Sequence, residues 1–444
     1  MPPSASYDRT VMAEGFASEV FVTLTGGAFL TGLALHLGAG PIALALLASL
    51  PFLCQSAQLA APMLERRLGS RRRFVVPAAF AARLLWLVPA ALAALNARGD
   101  LALGAAIAAV LVLSLLGMVA QNGWIAWLAD LVPGERQVAL FGRRAWAVSA
   151  ATLVATPCGA VALDHLSGQG RAGLALGLLG CVAVIGGVGS TVALSRMPEV
   201  AHAPGTERLA PHLRRVTRDP AFRRVLALFS LWHTAIGLPA PFWALYMINM
   251  LDMSFLLITV HVILSLTLRL LTSNAWARLI ERVGSRRVLI ACAFVLTFNP
   301  VLWLLAKPDT LWPIWLEGCV SGVAWTGFNQ AAFIQPIAIL APRDRSVGLA
   351  IFSLVTGAAL FAASLTGGVV LEVLGGARGA FLLLFVVSAA LRAVTGVAAL
   401  RLSEPGVSLR AFFVSFVGHG MLRRPAGRLG VEVAPAPSTA DEAP

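Results

Sequence analysis

The chain has 444 residues, of which 58% are hydrophobic and only 12% are charged, and its formal net charge is +13. Soluble globular domains carry about 25% charged residues, so this composition excludes an ordinary soluble domain and is typical of a polytopic membrane protein. The 34 basic residues include a single lysine, Lys307, and lie mainly in short segments between apolar runs. This placement favours contact with anionic lipid and not with nucleic acid.

Apolar runs separated by polar or Gly/Pro-rich breaks predict an all-α fold with twelve transmembrane helices, since a bilayer span needs about 20 apolar residues. The first six predicted spans are 14–36, 41–64, 74–96, 101–131, 145–166 and 172–195. The second six are 223–249, 254–277, 288–306, 311–340, 347–373 and 379–400. Each set of six is expected to form one helical bundle.

The cations predict the orientation of these spans, because Arg and Lys accumulate in cytoplasmic loops. With the N-terminus inside, 27 cations fall in segments on the cytoplasmic side and four on the other side. The remaining three, Arg83, Arg269 and Arg392, lie within spans. We therefore expect both termini in the cytoplasm and basic loops against the anionic inner leaflet.

The chain also repeats itself. ERRLGSRRR at 65–73 returns as ERVGSRR at 281–287, each between the second and third span of its half. LADLVPGERQVALF and AILAPRDRSVGLAIF both follow a fourth span. The predicted domains are an N-terminal bundle at 1–195, a cytoplasmic linker at 196–222, a C-terminal bundle at 223–402 and a cytoplasmic tail at 403–444. Part of the tail, 407–424, is a candidate interfacial helix, and the rest is expected to be disordered.

Parallel six-span repeats joined by a linker are one known transporter architecture. The stretch ERVGSRR resembles the signature loop of the major facilitator superfamily, acidic–basic–x–Gly–x–basic–basic. The N-terminal copy departs from this pattern, because Arg66 occupies the acidic position and Glu65 is displaced by one. The resemblance covers residues 10 to 400. It implies a bacterial secondary transporter in the cytoplasmic membrane that moves a small molecule by alternating access, with proton coupling expected and without enzymatic activity or a cofactor.

The resemblance also implies that the charged loops gate the cytoplasmic side through ion pairs that break and re-form. Simple anchoring of the loops at the inner leaflet is the alternative. The candidate gating residues of the two halves are Glu65, Gly69, Arg71, Arg72 and Arg136, and Glu281, Arg282, Gly284, Arg286, Arg287 and Arg345.

Polar side chains within spans are the candidates for the substrate cavity, because such groups are costly in the membrane. Arg269 lies in the middle of the eighth predicted span and is a candidate either to bind an anionic substrate or to form a structural ion pair. Amide and indole groups of the fourth and tenth spans could orient a ligand or join helices. The predicted cavity set is Gln121, Asn122, Trp124, Arg269, Trp325, Asn329 and Gln330.

Glu19, in the first predicted span, is the candidate proton-coupling residue, and a solvated or arginine-paired carboxylate is the alternative. Arg83 and Arg392 are expected to have structural roles. Glu317 is expected to reach water near an external end, and His261 to be a packing residue.

No pair of histidines at metal spacing, nucleotide-binding loop or hydrolase motif occurs, and the five cysteines form no CxxC pair, so no metal site is predicted. A polytopic membrane enzyme, a flippase-like lipid-handling protein and a sensor that has lost transport are the other functions compatible with the sequence. We expect a monomer.

Overall fold

The computed structural model describes residues 4–131, 134–199, 209–341 and 344–402. This part of the chain is helical and contains no strand beyond an isolated bridge between Lys307 and Thr310. The all-α fold predicted from the apolar runs is therefore confirmed. The predicted tail from 403 onward and positions 200–208 of the predicted linker lie outside the described residues.

The first half of the described chain forms nine helices, two of them joined by a short 3₁₀ segment at Cys54–Leu59. They are α1 (Ser4–Thr25), α2 (Gly27–His36), α3 (Pro41–Leu53), α4 (Ala60–Leu68), α5 (Arg72–Leu85), α6 (Leu87–Ala94), α7 (Asp100–Leu131), α8 (Gly134–Gly168) and α9 (Ala172–Ser195).

The second half of the described chain also forms nine helices, with a 3₁₀ segment at Ala240–Phe242. They are α10 (Leu209–Arg218), α11 (Pro220–Gly237), α12 (Trp243–Asn249), α13 (Phe255–Val283), α14 (Ser285–Thr297), α15 (Asn299–Leu305), α16 (Trp312–Ile339), α17 (Arg345–Val373) and α18 (Arg378–Ala399). Helix α10 lies within the predicted linker.

Ten helical stretches in the described ranges are long and apolar enough to cross a membrane, and an eleventh span results if Asp8–Thr25 and Gly27–His36 count as one helix bent by 41°. The bend falls at Gly26, and Gly27 has a φ of +51°, a conformation that glycine adopts without strain. The predicted span 311–340 is helical as α16, but its acidic and amide side chains lower its hydropathy. The count of twelve spans and the cytoplasmic position of the termini stay predictions.

Small residues let the helices of each half approach closely, as is common inside membranes. Gly177 and Gly180 of α9 face Ala94 and Ala90 of α6, and a Cβ added at either glycine would lie within 2.6 Å of the alanine Cβ. This contact closes the N-terminal half on the side of α6. Leu176, Leu179 and Ala183 of α9 are buried in the same core.

The two halves meet near the ends of their helices that the sequence places outside. Asp164 of α8 accepts hydrogen bonds from the backbone N–H groups of Phe255 (3.0 Å) and Leu256 (2.8 Å) at the start of α13. A Cβ on Gly368 of α17 would lie 3.0 Å from Ile42 Cα of α3. Between these contacts and the opposite ends of the helices lies a cavity.

Replacing Gly180 with leucine is expected to destabilise the protein, because the added side chain has no room against α6. Overpacking of this kind costs about 1–3 kcal/mol. Thermal unfolding of the purified protein in detergent measures the effect. Gly104→Leu on α7 is the matched control, since a Cβ added at Gly104 would have no neighbouring atom within 4 Å. Equal melting temperatures for the two variants would contradict the packing described here.

Candidate functional site

A cavity of about 1080 Å³ lies between the two halves and is lined by helices of both. Of the predicted cavity residues, Gln121, Trp124 and Trp325 line it, as does the predicted coupling residue Glu19. Within the described part of the chain, the lining does not include Asn122, Arg269, Asn329 or Gln330.

The residues outside the lining occupy other faces of their helices. Arg269 and Asn329 are exposed. Gln330 of α16 donates to the Ser273 carbonyl (3.1 Å) and hydroxyl (3.0 Å) of α13, so it joins two helices. Consecutive residues on a helix point about 100° apart, and a polar stretch therefore sends only some of its members into a cavity.

Glu14 and Arg144 form an ion pair in the wall of the N-terminal half. Arg144 Nη2 lies 3.1 Å from Glu14 Oε2, and its guanidinium carbon is 4.4 Å from the centre of the Trp124 ring. A Cβ on Gly15 would lie 2.9 Å from Arg144 Cγ, so a glycine is needed for this side chain to lie against α1. The pair joins α1 to α8, and the arginine holds the indole in the lining by a cation–π contact.

Glu19 lies one turn further along α1 and has different partners. Its Oε1 accepts hydrogen bonds from the hydroxyls of Thr152 (3.0 Å) and Thr23 (3.4 Å). Both partners are neutral. The Glu19 carboxylate thus lies on the cavity wall, and the hydrogen-bond partners described for it include no cation.

Arg83 of α5 also reaches the cavity. It donates to the Ser18 hydroxyl at 3.0 Å and lies 4.3 Å from the centre of the Phe21 ring, while its Nε is buried without a hydrogen-bond partner in the described structure. A Cβ on Gly187 would lie 2.7 Å from Arg83 Cδ. The sequence places this arginine in a structural role, and the structure adds that it borders the cavity.

In the C-terminal half, Arg392 of α18 is buried at 3% exposure. It donates to the Leu296 carbonyl at 2.9 Å, and its guanidinium carbon lies 5.9 Å from the ring centres of both Trp232 and Trp325. Like Arg83, it borders the cavity as well as joining helices. Arg83 and Arg392 both lie deep within apolar runs of the sequence. A charged residue in such a position is a functional candidate, and this signal could have placed both at the cavity.

His261 of α13, Glu317 of α16 and Asn299 of α15 form a second buried cluster on the lining. His261 Nε2 lies 2.8 Å from Glu317 Oε2, and Asn299 Nδ2 donates to Glu317 Oε1 at 3.1 Å. Glu317 is 6% exposed, which corrects the expectation that it reaches external water. Sequence reasoning missed the cluster because its three members lie far apart in the chain.

Aromatic rings complete the wall of the C-terminal half. Trp243 is stacked on Phe385 with ring centres 4.6 Å apart and an interplanar angle of 9°, and its centre is 4.5 Å from that of Trp303. Trp243 and Trp303 both line the cavity. Flat, rigid rings of this kind can contact a ligand ring at little cost in side-chain entropy.

The family model described as "MFS/sugar transport protein" matches residues 64–342, which is more than half of the chain. The chain belongs to this family. The resemblance seen in ERVGSRR to the major facilitator superfamily is thereby confirmed, and the protein is a multi-pass membrane transporter of the MFS type.

Solved structures show the same fold. A point mutant of the nucleoside transporter NupG superposes with a TM-score of 0.70 at 12% identity, over 90% of this chain and 100% of that one. A bacterial homologue of the iron transporter ferroportin in an outward-facing state gives 0.55 at 18% identity, over 90% and 98%. A structure described as a bacterial metal transporter gives 0.61 at 15% identity, over 90% and 98%. No curated protein matches the chain.

The loop 65–73 of this MFS transporter contains a clasp despite its altered motif. Arg71 Nε lies 2.7 Å from Glu65 Oε1, and Arg71 Nη1 donates to the Ala126 carbonyl of α7 at 2.8 Å. Gly69 has a φ of +62°, which suits glycine in the turn. In the signature loop the acidic residue stands at the position that Arg66 occupies here. Glu65, one position earlier, supplies the acidic partner of Arg71 instead.

The second copy of the loop joins other elements. Gly284 has a φ of +93° between α13 and α14, Arg286 donates to the Leu400 carbonyl, and Arg287 donates to the Val283 carbonyl at 3.2 Å. Arg345 donates to the Leu340 carbonyl at 3.4 Å. Arg72, Glu281 and Arg282 are exposed on the surface, and the side chain of Arg136 lies outside the described part of the structure. Gating by these residues stays a prediction.

Asp344, just before α17, holds helix α10 of the linker. His212 Nδ1 lies 2.7 Å from Asp344 Oδ1, and Arg215 Nε lies 3.1 Å from Asp344 Oδ2. The hydrogen bond with His212, assisted by Arg215, holds the pKa of Asp344 below its usual range. The contact therefore stabilises the folded state at neutral pH, and this stabilisation is lost as the pH falls through the lowered pKa.

Replacing Asp344 with asparagine is expected to release α10 from the C-terminal half, because His212 and Arg215 lose their charged acceptor. Hydrogen–deuterium exchange at neutral pH should become faster across Leu209–Arg218 and stay unchanged in the core of α13. Arg214→Gln, on the same helix, is the control, since Arg214 is exposed. Unchanged exchange in the Asp344→Asn variant would show that the ion pairs do not hold this helix.

Proposed function

We propose that the protein is a secondary active transporter that moves a small polar molecule across the membrane by alternating access and couples this movement to protons. The observation that carries the proposal is the cavity of about 1080 Å³ between the halves, with charged side chains of both halves in its wall. Ligand sites typically occupy about 300–1,000 Å³, so the space suits one small molecule with some water.

The shape of the cavity supports alternating access. The halves touch at the ends of α8 and α13 that are predicted to be external, through Asp164 and the first N–H groups of α13. The lining reaches Glu14 and Leu194, near ends predicted to be cytoplasmic, and in the second half it reaches Ile258 and Trp303, near ends predicted to be external. Because the Asp164 contacts join the halves on the external side, we assign this conformation to a state that faces the cytoplasm. A rocking of the halves that breaks the Asp164 contacts would open the other side.

The charges of the wall favour a polar substrate without a large net charge. Three guanidinium groups (Arg83, Arg144 and Arg392) are balanced by three carboxyl groups (Glu14, Glu19 and Glu317). Indole rings next to them offer flat apolar surfaces. Nucleosides, which NupG transports, and sugars, which the family description names, both combine polar groups with a ring.

Glu19 is our candidate for the coupling proton. Among the described residues the hydrogen-bond donors to Glu19 are hydroxyls, so it can gain or lose a proton without breaking an ion pair, whereas Glu14 is paired with Arg144. Its position on the lining gives it access to water and substrate. We further place the transporter in the bacterial cytoplasmic membrane as a monomer, with its basic loops facing the anionic inner leaflet.

Replacing Glu19 with glutamine is expected to reduce accumulation driven by a pH gradient by at least about tenfold, which corresponds to about 1.4 kcal/mol of lost coupling. The amide keeps the hydrogen bonds with Thr152 and Thr23 but cannot carry a proton. The measurement is uptake of labelled nucleosides and sugars, with internal pH recorded by pyranine, in proteoliposomes with an imposed pH gradient.

Asp309→Asn is the matched control for this assay, because Asp309 lies exposed in a predicted external loop. Exchange of labelled for unlabelled substrate without a gradient should persist in the Glu19→Gln variant. Wild-type accumulation retained in this variant would remove Glu19 from the coupling mechanism. A folded wild-type protein that moves none of the tested compounds would favour the sensor hypothesis.

A further inference from the structure

The cluster of His261, Glu317 and Asn299 has no role in the coupling by Glu19 proposed above. The side chains of its two titratable residues are 10% and 8% exposed, yet both belong to the lining of the cavity. Three helices contribute to it, with the Glu317 carboxylate between the imidazole and the amide. A buried pair of this kind is costly to build in a membrane and therefore indicates a function.

The hydrogen bonds define where a proton can bind. When the imidazole is neutral, the nitrogen next to the carboxylate, Nε2, carries the hydrogen, and Nδ1 is the free acceptor. Nδ1 is buried and has no hydrogen-bond partner in the described structure. A proton can therefore add at Nδ1 without breaking a hydrogen bond within the protein. The imidazolium that forms lies next to an opposite charge, which stabilises it.

Other charged and titratable groups face the pair from the surrounding helices. Arg392 of α18 interacts electrostatically with Glu317. Tyr246 of α12 donates to the Trp303 carbonyl at 3.3 Å, next to the imidazole ring. Asp164 of α8 accepts hydrogen bonds at the start of α13, about 9 Å along the helix from His261. Arg392 and Glu317 balance each other, so binding of a proton at His261 adds one positive charge to the cluster.

Helix α13 links this cluster to the contact between the halves. Its first turn donates two N–H groups to Asp164, and the Phe255 side chain packs against Gly32 of α2. His261 lies on the same helix within two turns. A movement that separates α13 from α8 would therefore shift the imidazole and open a path to it from the external side.

We propose that His261, held by Glu317 and Asn299, is a second proton-binding site. The proton reaches it from the external side, and its binding shifts the equilibrium between the closed and the open contact of α8 with α13. Hydronium from external water delivers the proton to the Nδ1 lone pair: one O–H bond of the hydronium breaks, the Nδ1–H bond forms, and a neutral water molecule is released. The inference rests on the proposed transport function, because this shift matters only in a protein whose halves alternate.

The first test is nuclear magnetic resonance of protein labelled with ¹⁵N-histidine in lipid nanodiscs, and needs no substrate. One of the seven histidines should show a protonated Nε2 and a free Nδ1 at alkaline pH, become an imidazolium on acidification and be absent in the His261→Asn variant. Gly318→Ala should perturb this signal, because a Cβ there would lie 3.0 Å from His261 Cδ2. A His261 signal that does not titrate between about pH 5 and 9 overturns the proposal.

The second test measures the shift in the contact between α8 and α13. Spin labels at Gln169 and Asp309, in a chain whose native cysteines are replaced, report the distance between the external ends of the two halves. The distance distribution of the wild type should change between acid and alkaline pH, and His261→Asn and Glu317→Gln should abolish the change. His233→Asn is the matched control, since His233 lies outside the lining and its Nδ1 is 2.7 Å from the Phe229 carbonyl oxygen.

A pH response retained in His261→Asn, or absent from the wild type, overturns the proposal. The two proposals fail in different ways. If the Glu19→Gln variant loses gradient-driven accumulation while His261→Asn keeps the response of the spin labels, the transport function stands and the second proton site is rejected. If the labels respond through His261 but no tested compound moves, the proton site stands and the transport proposal fails.

Discussion

A charge that leaves water for the interior of a membrane protein must find a partner there, and this requirement organises the space between the two halves. An unpaired buried ion costs several kcal/mol. Glu14 is therefore paired with Arg144, and Glu317 is enclosed by His261 and Asn299. In each case the partner comes from another helix, so the pairing positions the helices and lines the cavity at the same time.

Glycine provides the room for these charged side chains. A Cβ on Gly15, Gly187 or Gly318 would lie between 2.7 and 3.0 Å from Arg144, Arg83 or His261, respectively. Each charged side chain thus lies along the backbone of a neighbouring helix. Membrane helices commonly approach one another at small residues. Here the glycines also leave space for polar side chains in a cavity wall that is otherwise apolar. The positions of these side chains set the chemistry of the cavity.

The two copies of the charged loop show how a repeat can diverge while its geometry persists. In both copies a glycine with positive φ forms the turn between helices. The first copy closes on itself through Glu65 and Arg71, whereas the second attaches to the end of α18 through Arg286. Each arrangement ties the loop to its own half, so the half can move as a unit during a rocking motion.

The all-α membrane fold, the boundaries of helices such as α7, α9 and α18, the family and the internal repeat follow from the sequence, because apolar runs, glycine and charge patterns are properties of neighbouring residues. The cavity was predictable only in part. Gln121, Trp124 and Trp325 line it, but Arg269 does not, since the rotation of α13 about its own axis decides which side of the helix faces inward. His261 and Glu317 lie 56 positions apart in the chain, and packing alone brings them together. Tertiary structure decided which buried charges meet, because pairing depends on distances between helices that local sequence does not encode.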